Sequence, residues 1–324
     1  MSSAPLVVEV TRGSFVESTH LVHAVLLDGN AKRKAVYGKA KRLTFPRSAI
    51  KPLQAIALVE TGAAQAFGLS NAEIALACAS HSAEEKHTSA VAAWLSRMEL
   101  GEEALECGGH PPAAKPADAP RALTNNCSGK HTGMLALGLH LNAPLKGYTD
   151  AGHPVQQCIL SVMSDMCGET LIPAVCGIDG CSAPNPAMPL ENIARGFARF
   201  MNPSKLSMTR GTACRHIFQA MTEHPDLVAG KDRLDTLLMQ AAGGKIMCKV
   251  GAEGVYAAVI PGHDTVIVLK AEDGNIRASQ AALCALLERH GLADGDVLDA
   301  IRPTALPVLK NWRKTETGTI RVKE

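Results

Sequence analysis

The chain has 324 residues, of which 46% are hydrophobic, 20% charged and only 3% aromatic, a composition that suits a globular protein with a sizeable core. Its 33 basic and 31 acidic residues leave a formal charge of +2; the signs are mixed and no basic block is interleaved with aromatics, which excludes a nucleic-acid partner from the expected classes. Apolar runs such as residues 73–79 and 254–260 are far too short to span a bilayer, so no membrane partner is expected either.

Residues 1–11 read as a short polar lead into a strand, with no basic segment and no apolar core of signal-peptide length. Strands are predicted at 6–12 and 20–27. The tight-turn signal Asp28-Gly29-Asn30 leads into a third at 34–38, so the chain opens with an antiparallel meander. After Pro46, Ile50, Leu53, Ile56, Ala57 and Val59 form a helical stripe over 48–58, with Pro52 in its first turn and Gly62 as its stop. Ser70-Asn71-Ala72-Glu73 is a capping box that opens an apolar helix through Ala79. A further helix covers 84–98. Residues 107–121, rich in Gly, Pro and Ala, form a loop long enough to be a surface or active-site loop. Helices follow at 129–140, 154–167, 190–200, 212–222 and 233–242, then strands at 245–250, 255–260 and 265–269, a helix at 279–290 and a last strand at 319–322.

This order lacks the βαβ alternation of a Rossmann or barrel fold. It predicts an α+β fold, with one sheet built from the N- and C-terminal strands around a helical middle, in a single domain over residues 1–324. The ten cysteines are scattered and form no C-x-x-C. In a chain of this length without a signal peptide they read as reduced, mostly buried thiols, and the expected compartment is cytoplasmic.

The chemistry gathers around Arg47-Ser48-Ala49-Ile50-Lys51. A serine three residues before a lysine puts both side chains on one helical face. A lysine kept neutral by burial and by other cations can take the serine proton, giving a nucleophile and base. Seventeen serines and seventeen lysines in 324 residues make about one Ser-x-x-Lys match per chain a chance expectation, so the rest of the chain must supply the specificity. Four loops that carry reactive residues, three of them with glycine, do so. They are Ser80-His81-Ser82, residues 125–133 with Cys127, Lys130 and His131, residues 176–184 with Asp179 and Cys181, and residues 249–256 with Lys249-x-Gly251. Cys127 with His131 at i+4 could be a thiolate nucleophile with its base or a pair of zinc ligands, and Cys181 another soft ligand. A strand-borne Lys-x-Gly after an earlier Ser-x-x-Lys is the arrangement of serine β-lactamases and penicillin-binding proteins, although their Ser-Asp-Asn is missing here.

Taken in order, residues 47–52, 125–133, 177–184 and 249–256 make the chain resemble the Rhizobium etli-type L-asparaginases, from the first strand to the C-terminus. The resemblance implies a fold related to serine β-lactamases and glutaminases, a homodimer, and hydrolysis of L-asparagine to L-aspartate and ammonia. It implies two Ser-Lys tandems, Ser48 with Lys51 and Ser80 with Lys249, and a zinc site of Cys127, Lys130 and Cys181, the lysine binding in its neutral form. Arg47, Asp179 and His131 match polar positions near the substrate, and an arginine and an aspartate suit the α-carboxylate and α-ammonium of a free amino acid. The rival readings are a zinc- or cysteine-dependent amidohydrolase acting through Cys127 and His131, a non-catalytic amino-acid-binding protein, and a penicillin-interacting enzyme.

Overall fold

A computed structural model describes residues 4–323; Met1–Ser3, the start of the predicted polar lead, and Glu324 lie outside the described residues. In chain order the strands are β1 (Leu6–Arg12), β2 (Phe15–Leu27), β3 (Arg33–Tyr37), β4 (Leu43–Thr44), β5 (Cys176–Ile178), β6 (Pro184–Pro186), β7 (Met188–Pro189), β8 (Met247–Gly251), β9 (Val255–Ile260), β10 (Thr265–Ala271), β11 (Val308–Lys310) and β12 (Glu316–Val322). The α-helices are α1 (Lys51–Glu60), α2 (Ala63–Ala66), α3 (Asn71–Ala77), α4 (Glu85–Arg97), α5 (Ser128–His140), α6 (Pro154–Cys167), α7 (Leu190–Met201), α8 (Met208–Glu223), α9 (Pro225–Val228), α10 (Leu234–Ala241), α11 (Ile276–Arg289) and α12 (Gly295–Ala305). Among the described residues no helix is long and apolar enough to cross a membrane.

The chain forms two compact units, each assembled from separate segments. The first contains the residues before Ile50, Met188–Met201 and the residues from Arg233 onward. Its centre is an antiparallel sheet in the order β11-β12-β1-β2-β10-β9-β8, with β3 added to β2. The sheet is thus built from both ends of the chain, as the strand–helix–strand order predicts. β1 lies beside β12 in the register Val8↔Val322 and Val10↔Ile320. Every residue of β9 is buried, and both α7 and α11 pack on β2, β9 and β10, so the sheet's middle is covered on both faces. Such strands read as continuous apolar runs instead of alternating ones.

The second unit holds Ile50–Ala187 and Asn202–Asp232. It is helical, with α1 packed against α5, α6 and α8, and α3 against α5 and α8. Residues Lys51 to Leu58 of α1 are buried all round, which marks it as the unit's central helix. The α3–α5 contact is close because α5 carries Gly129: a Cβ there would stand 2.3 Å from the Leu76 carbonyl oxygen. The glycine lets the first turn of α5, with Cys127 at its N-cap, lie directly on the end of α3.

Local signals place the element ends well. The Ser70–Glu73 capping box forms as read, the Ser70 hydroxyl accepting from the Glu73 N–H and the Glu73 carboxylate from the Ser70 N–H at 3.0 Å. Three departures have physical causes. β2 begins at Phe15, earlier than predicted, because the polar residues before His20 pair with β1 across a bulge at Val10/Thr11. Helix α12 carries Pro303 inside it and was not predicted; a proline reads as a breaker, and this one falls in the last turn. Ser48 lies in a 3-10 turn, Arg47–Ile50, that runs into α1 at Lys51, not in the α-helix itself.

Candidate active site

In the helical unit the site grows from the end of α3. The segment Ser80–Ser82 is pinned from two sides by backbone bonds: Ser80 N–H to Val228 O (2.8 Å), His81 N–H to Asn126 O (3.1 Å) and Ser82 N–H to Ala229 O (2.9 Å). This fixes the Ser80 hydroxyl where Lys51 can reach it. Lys51, the first residue of α1, is only 1% exposed. Its Nζ donates to the Ala79 carbonyl, to Ser80 Oγ at 3.0 Å and to Cys127 Sγ at 3.1 Å. The expected tandems join Lys51 to Ser48 and Ser80 to Lys249; the bonded Ser-Lys pair within this unit is Lys51 with Ser80.

One turn along α5 from Cys127, Lys130 Nζ lies 3.0 Å from Cys181 Sγ. Cys181 sits at the tip of the β5–β6 hairpin. Asp179 N–H donates to Ala183 O (3.0 Å) and Ser182 N–H to Asp179 O (2.9 Å), while Asp179 Oδ1 takes the Gly180 N–H at 2.9 Å. What reads in sequence as a glycine loop is therefore a tight hairpin turn that presents a cysteine. The Cys127 thiol donates to Cys181. Accepting from Cys127, and then sitting beside Lys130, drops Cys181 to about 4 against the cost of its burial. Donating to Cys181, together with burial, pushes Cys127 up to about 12. Burial works against the charge on Lys130, yet Cys181 and Cys127 lift it above the ordinary lysine value. The neutral lysine implied for a metal ligand is thus not the form this cluster favours by itself.

Among the described residues no group of three or more His, Cys, Asp or Glu side chains could hold a metal ion. A site here rests on the lysine as third ligand. The donor set fits zinc in chemistry: two buried sulfurs and an amine already in mutual contact. Binding would release the protons of Lys130 and Cys127.

His131, next on α5, is fully buried. Its Nδ1 is 2.7 Å from the Tyr148 hydroxyl, and burial, then the charge of Lys130, lowers it to about 3. His81 is also lowered well below 6.5, mainly by burial. Both stay neutral in the native state, whereas in the unfolded chain they take up protons near pH 6.5. Above that value neither contributes. As pH falls below it the unfolded state gains protons that the native state refuses, down to about 3 for His131. Stability is expected to drop by roughly 2–3 kcal/mol between about pH 7.5 and 5.5 for the two together. Urea midpoints measured across that range check this.

In the sheet-bearing unit, Arg47 adopts φ +51°, an uncommon left-handed conformation for an arginine that turns the chain just before Ser48. Ser48 is partly exposed. The nearby strand β8 carries Lys249 and ends at Gly251, where a Cβ would stand 2.7 Å from Pro46 O and 3.1 Å from Ala49 N. The Lys249-x-Gly251 glycine lets the strand lie against the turn that bears Ser48. Lys249 is fully buried. Its Nζ donates to Val250 O at 2.8 Å and lies 3.6 Å from Asp235 Oδ2. Asp235, in the first turn of α10, also accepts from Val250 N–H at 3.1 Å and from the Tyr256 hydroxyl. Sequence reasoning missed Asp235 and Tyr148. The available signal for Asp235 was a carboxylate among the apolar residues of a helix; for Tyr148 there was none.

Against this geometry, the sequence profile of the L-asparaginase II family matches residues 8–322. No curated protein is significantly similar in sequence. In solved structures the chain is similar to a β-lactamase from Mycobacterium bovis, with 13% identity and a TM-score of 0.48 over 84% of this chain and 95% of that one. It is also similar to the D,D-transpeptidase domain of a peptidoglycan glycosyltransferase from Eggerthella lenta, with 13% identity and a TM-score of 0.39 over 84% of this chain and 79% of that one.

Proposed function

The chain belongs to the L-asparaginase II family, and from that premise we propose that it is an amidohydrolase of the Rhizobium etli type that converts L-asparagine to L-aspartate and ammonia. The observation that carries the reading is the buried Lys51 amine, 3.0 Å from Ser80 Oγ and 3.1 Å from Cys127 Sγ, which joins a Ser-Lys pair to the cysteine and lysine cluster. In the proposed reaction Lys51 acts as the neutral amine, with two N–H bonds and a lone pair in place of the three donors that meet Ala79 O, Ser80 Oγ and Cys127 Sγ, and takes the proton of Ser48 as its oxygen attacks the side-chain amide carbon. The carbonyl electrons move to oxygen and give a tetrahedral intermediate. Its collapse breaks the C–N bond, with Ser80 and Lys249 relaying a proton to the departing ammonia. Water then attacks the acyl ester and releases L-aspartate and the serine. Arg47 and Asp179 meet the substrate's α-carboxylate and α-ammonium, and His131 a substrate oxygen. Cys127, Lys130 and Cys181 would hold a zinc ion, which supplies positive charge to the substrate pocket.

The cysteine alternative is weaker on two counts. Cys127 is pushed up to about 12, and His131 Nδ1 is engaged by Tyr148, so neither half of a thiolate–imidazole pair is poised. Ammonia release from L-asparagine and L-glutamine, with and without added zinc, tests the main reading. Release from asparagine is expected, and its absence in zinc-loaded protein that still binds asparagine would leave the chain as a binding protein. Ser48→Ala should fold normally and lose turnover; an active Ser48→Ala protein would sink the nucleophile assignment. Treatment with a zinc chelator should raise KM more than it lowers kcat, since the Ser-Lys pairs supply nucleophile and base. The reverse split would contradict a substrate-positioning role for the metal.

A further inference from the structure

Among the described residues the helical unit buries three histidines, His81, His87 and His131, and their hydrogen bonds set one of them apart. His81 Nδ1 accepts from Ala83 N–H at 3.2 Å. Its Nε2 lies 2.9 Å from Ser128 Oγ, which spends its own proton on Leu123 O at 3.0 Å. His87 Nδ1 accepts from Glu84 N–H at 3.1 Å, and its Nε2 meets Asp226 O at 2.9 Å. Both rings are satisfied on both sides. His131 is satisfied on one side only: Nδ1 meets Tyr148 Oη at 2.7 Å, while Nε2 is buried and has no hydrogen-bond partner.

The Tyr148 hydroxyl decides which nitrogen carries the proton. It is buried and already accepts from the Glu106 N–H at 2.8 Å. If Tyr148 donates to Nδ1, a single group is left over, the Nε2–H. If instead Nδ1–H donates to Tyr148, the phenol proton loses its acceptor and Nε2 keeps an unfilled lone pair, which makes two buried orphans. The first assignment satisfies more groups and is the tautomer to expect. The tyrosine is itself held in place. Glu106 Oε1 accepts from Gly147 N–H at 2.8 Å, Glu106 Oε2 from the Thr149 hydroxyl at 3.1 Å, and Gln156 Nε2 donates to the Tyr148 carbonyl at 2.7 Å.

We propose that Tyr148, fixed by Glu106, is a positioning residue that locks His131 as the Nε2–H tautomer, leaving a preset donor for an acceptor oxygen of the substrate's amide or carboxylate groups. This rests on the amidohydrolase reading and adds a direction to it. So locked, His131 is neither a general base nor a zinc ligand through Nε2. A fixed donor in a buried setting is costly until its acceptor arrives, so it favours ligands that bring an oxygen to that point.

Protein labelled with 15N-histidine tests this by long-range 1H–15N spectra, with the His131 signals assigned by their loss in His131→Gln. The expected pattern is a protonated Nε2 and an accepting Nδ1, with the Nε2–H signal moving on titration with L-aspartate, which does not turn over. Tyr148→Phe should mix the tautomers and raise KM for L-asparagine about tenfold with kcat little changed, the signature of a lost binding contact. A wild-type Nδ1–H tautomer, an Nε2–H signal indifferent to L-aspartate, or an Nε2 that becomes a ligand when zinc is added would each overturn the assignment. Ammonia release with the wrong tautomer would sink the donor assignment and leave the amidohydrolase reading intact. The expected tautomer and aspartate response without ammonia release would do the opposite.

Discussion

Lys51→Met is expected to lower kcat/KM for L-asparagine by at least ~10³-fold while costing no more than about 1 kcal/mol of stability. The Lys51 amine touches Ala79 O, Ser80 Oγ and Cys127 Sγ together, so its loss removes the proposed base and uncouples the serine from the cysteine cluster. Stability responds differently because a buried lysine is itself unfavourable. An unbranched methionine fills the same volume, and the desolvation of an amine that it removes offsets the acceptors it leaves unpaired. Ammonia release with urea unfolding on the same preparation reads both quantities. Activity within tenfold of the parent protein would show that Lys51 is only a structural amine.

Asp235→Ala carries the largest expected loss of stability, about 3–5 kcal/mol. The Asp235 carboxylate accepts from Val250 N–H and from Tyr256 Oη and lies 3.6 Å from the Lys249 ammonium. Truncation strips the counter-charge from a fully buried lysine and leaves a backbone N–H and a phenol without that acceptor. Asp235→Asn keeps the shape and one acceptor, so it should cost less and isolate the charge. A urea unfolding free energy within 1 kcal/mol of the parent for Asp235→Ala would show that Lys249 is neutral in the native state.

Much of this architecture is written locally. Alternating or continuous apolar runs, the Ser70–Glu73 box and Pro154 at a helix start are short-range signals, and the strands and helices they announce are present. The bracketing of a helical middle by terminal strands also survives in the sheet of the first unit. What escapes the sequence depends on long-range contact or on one unusual dihedral. Nothing in a linear reading pairs Asp235 with Lys249, or Tyr148 with His131. The positive φ at Arg47 is invisible because arginine carries no preference for it. Candidate residues were legible where glycine accompanied them: Gly129 beside Cys127 and Lys130, and Gly251 beside Lys249, mark close backbone approaches. The carboxylate and phenol that fix those residues came without such a marker.

The pairing of β1 with β12 bears on the order in which the protein can assemble as it is made. Val8 lies opposite Val322, and the far edge of β2 is completed by β10, so most of the sheet's ladder must wait until the last third of the chain has left the ribosome. Such distant pairings are slow to close. The helical unit is complete by Asp232 and can fold during synthesis. Until then the hairpin of β1 and β2 exposes two unfilled edges, which makes it the segment most in need of protection from pairing with its neighbours.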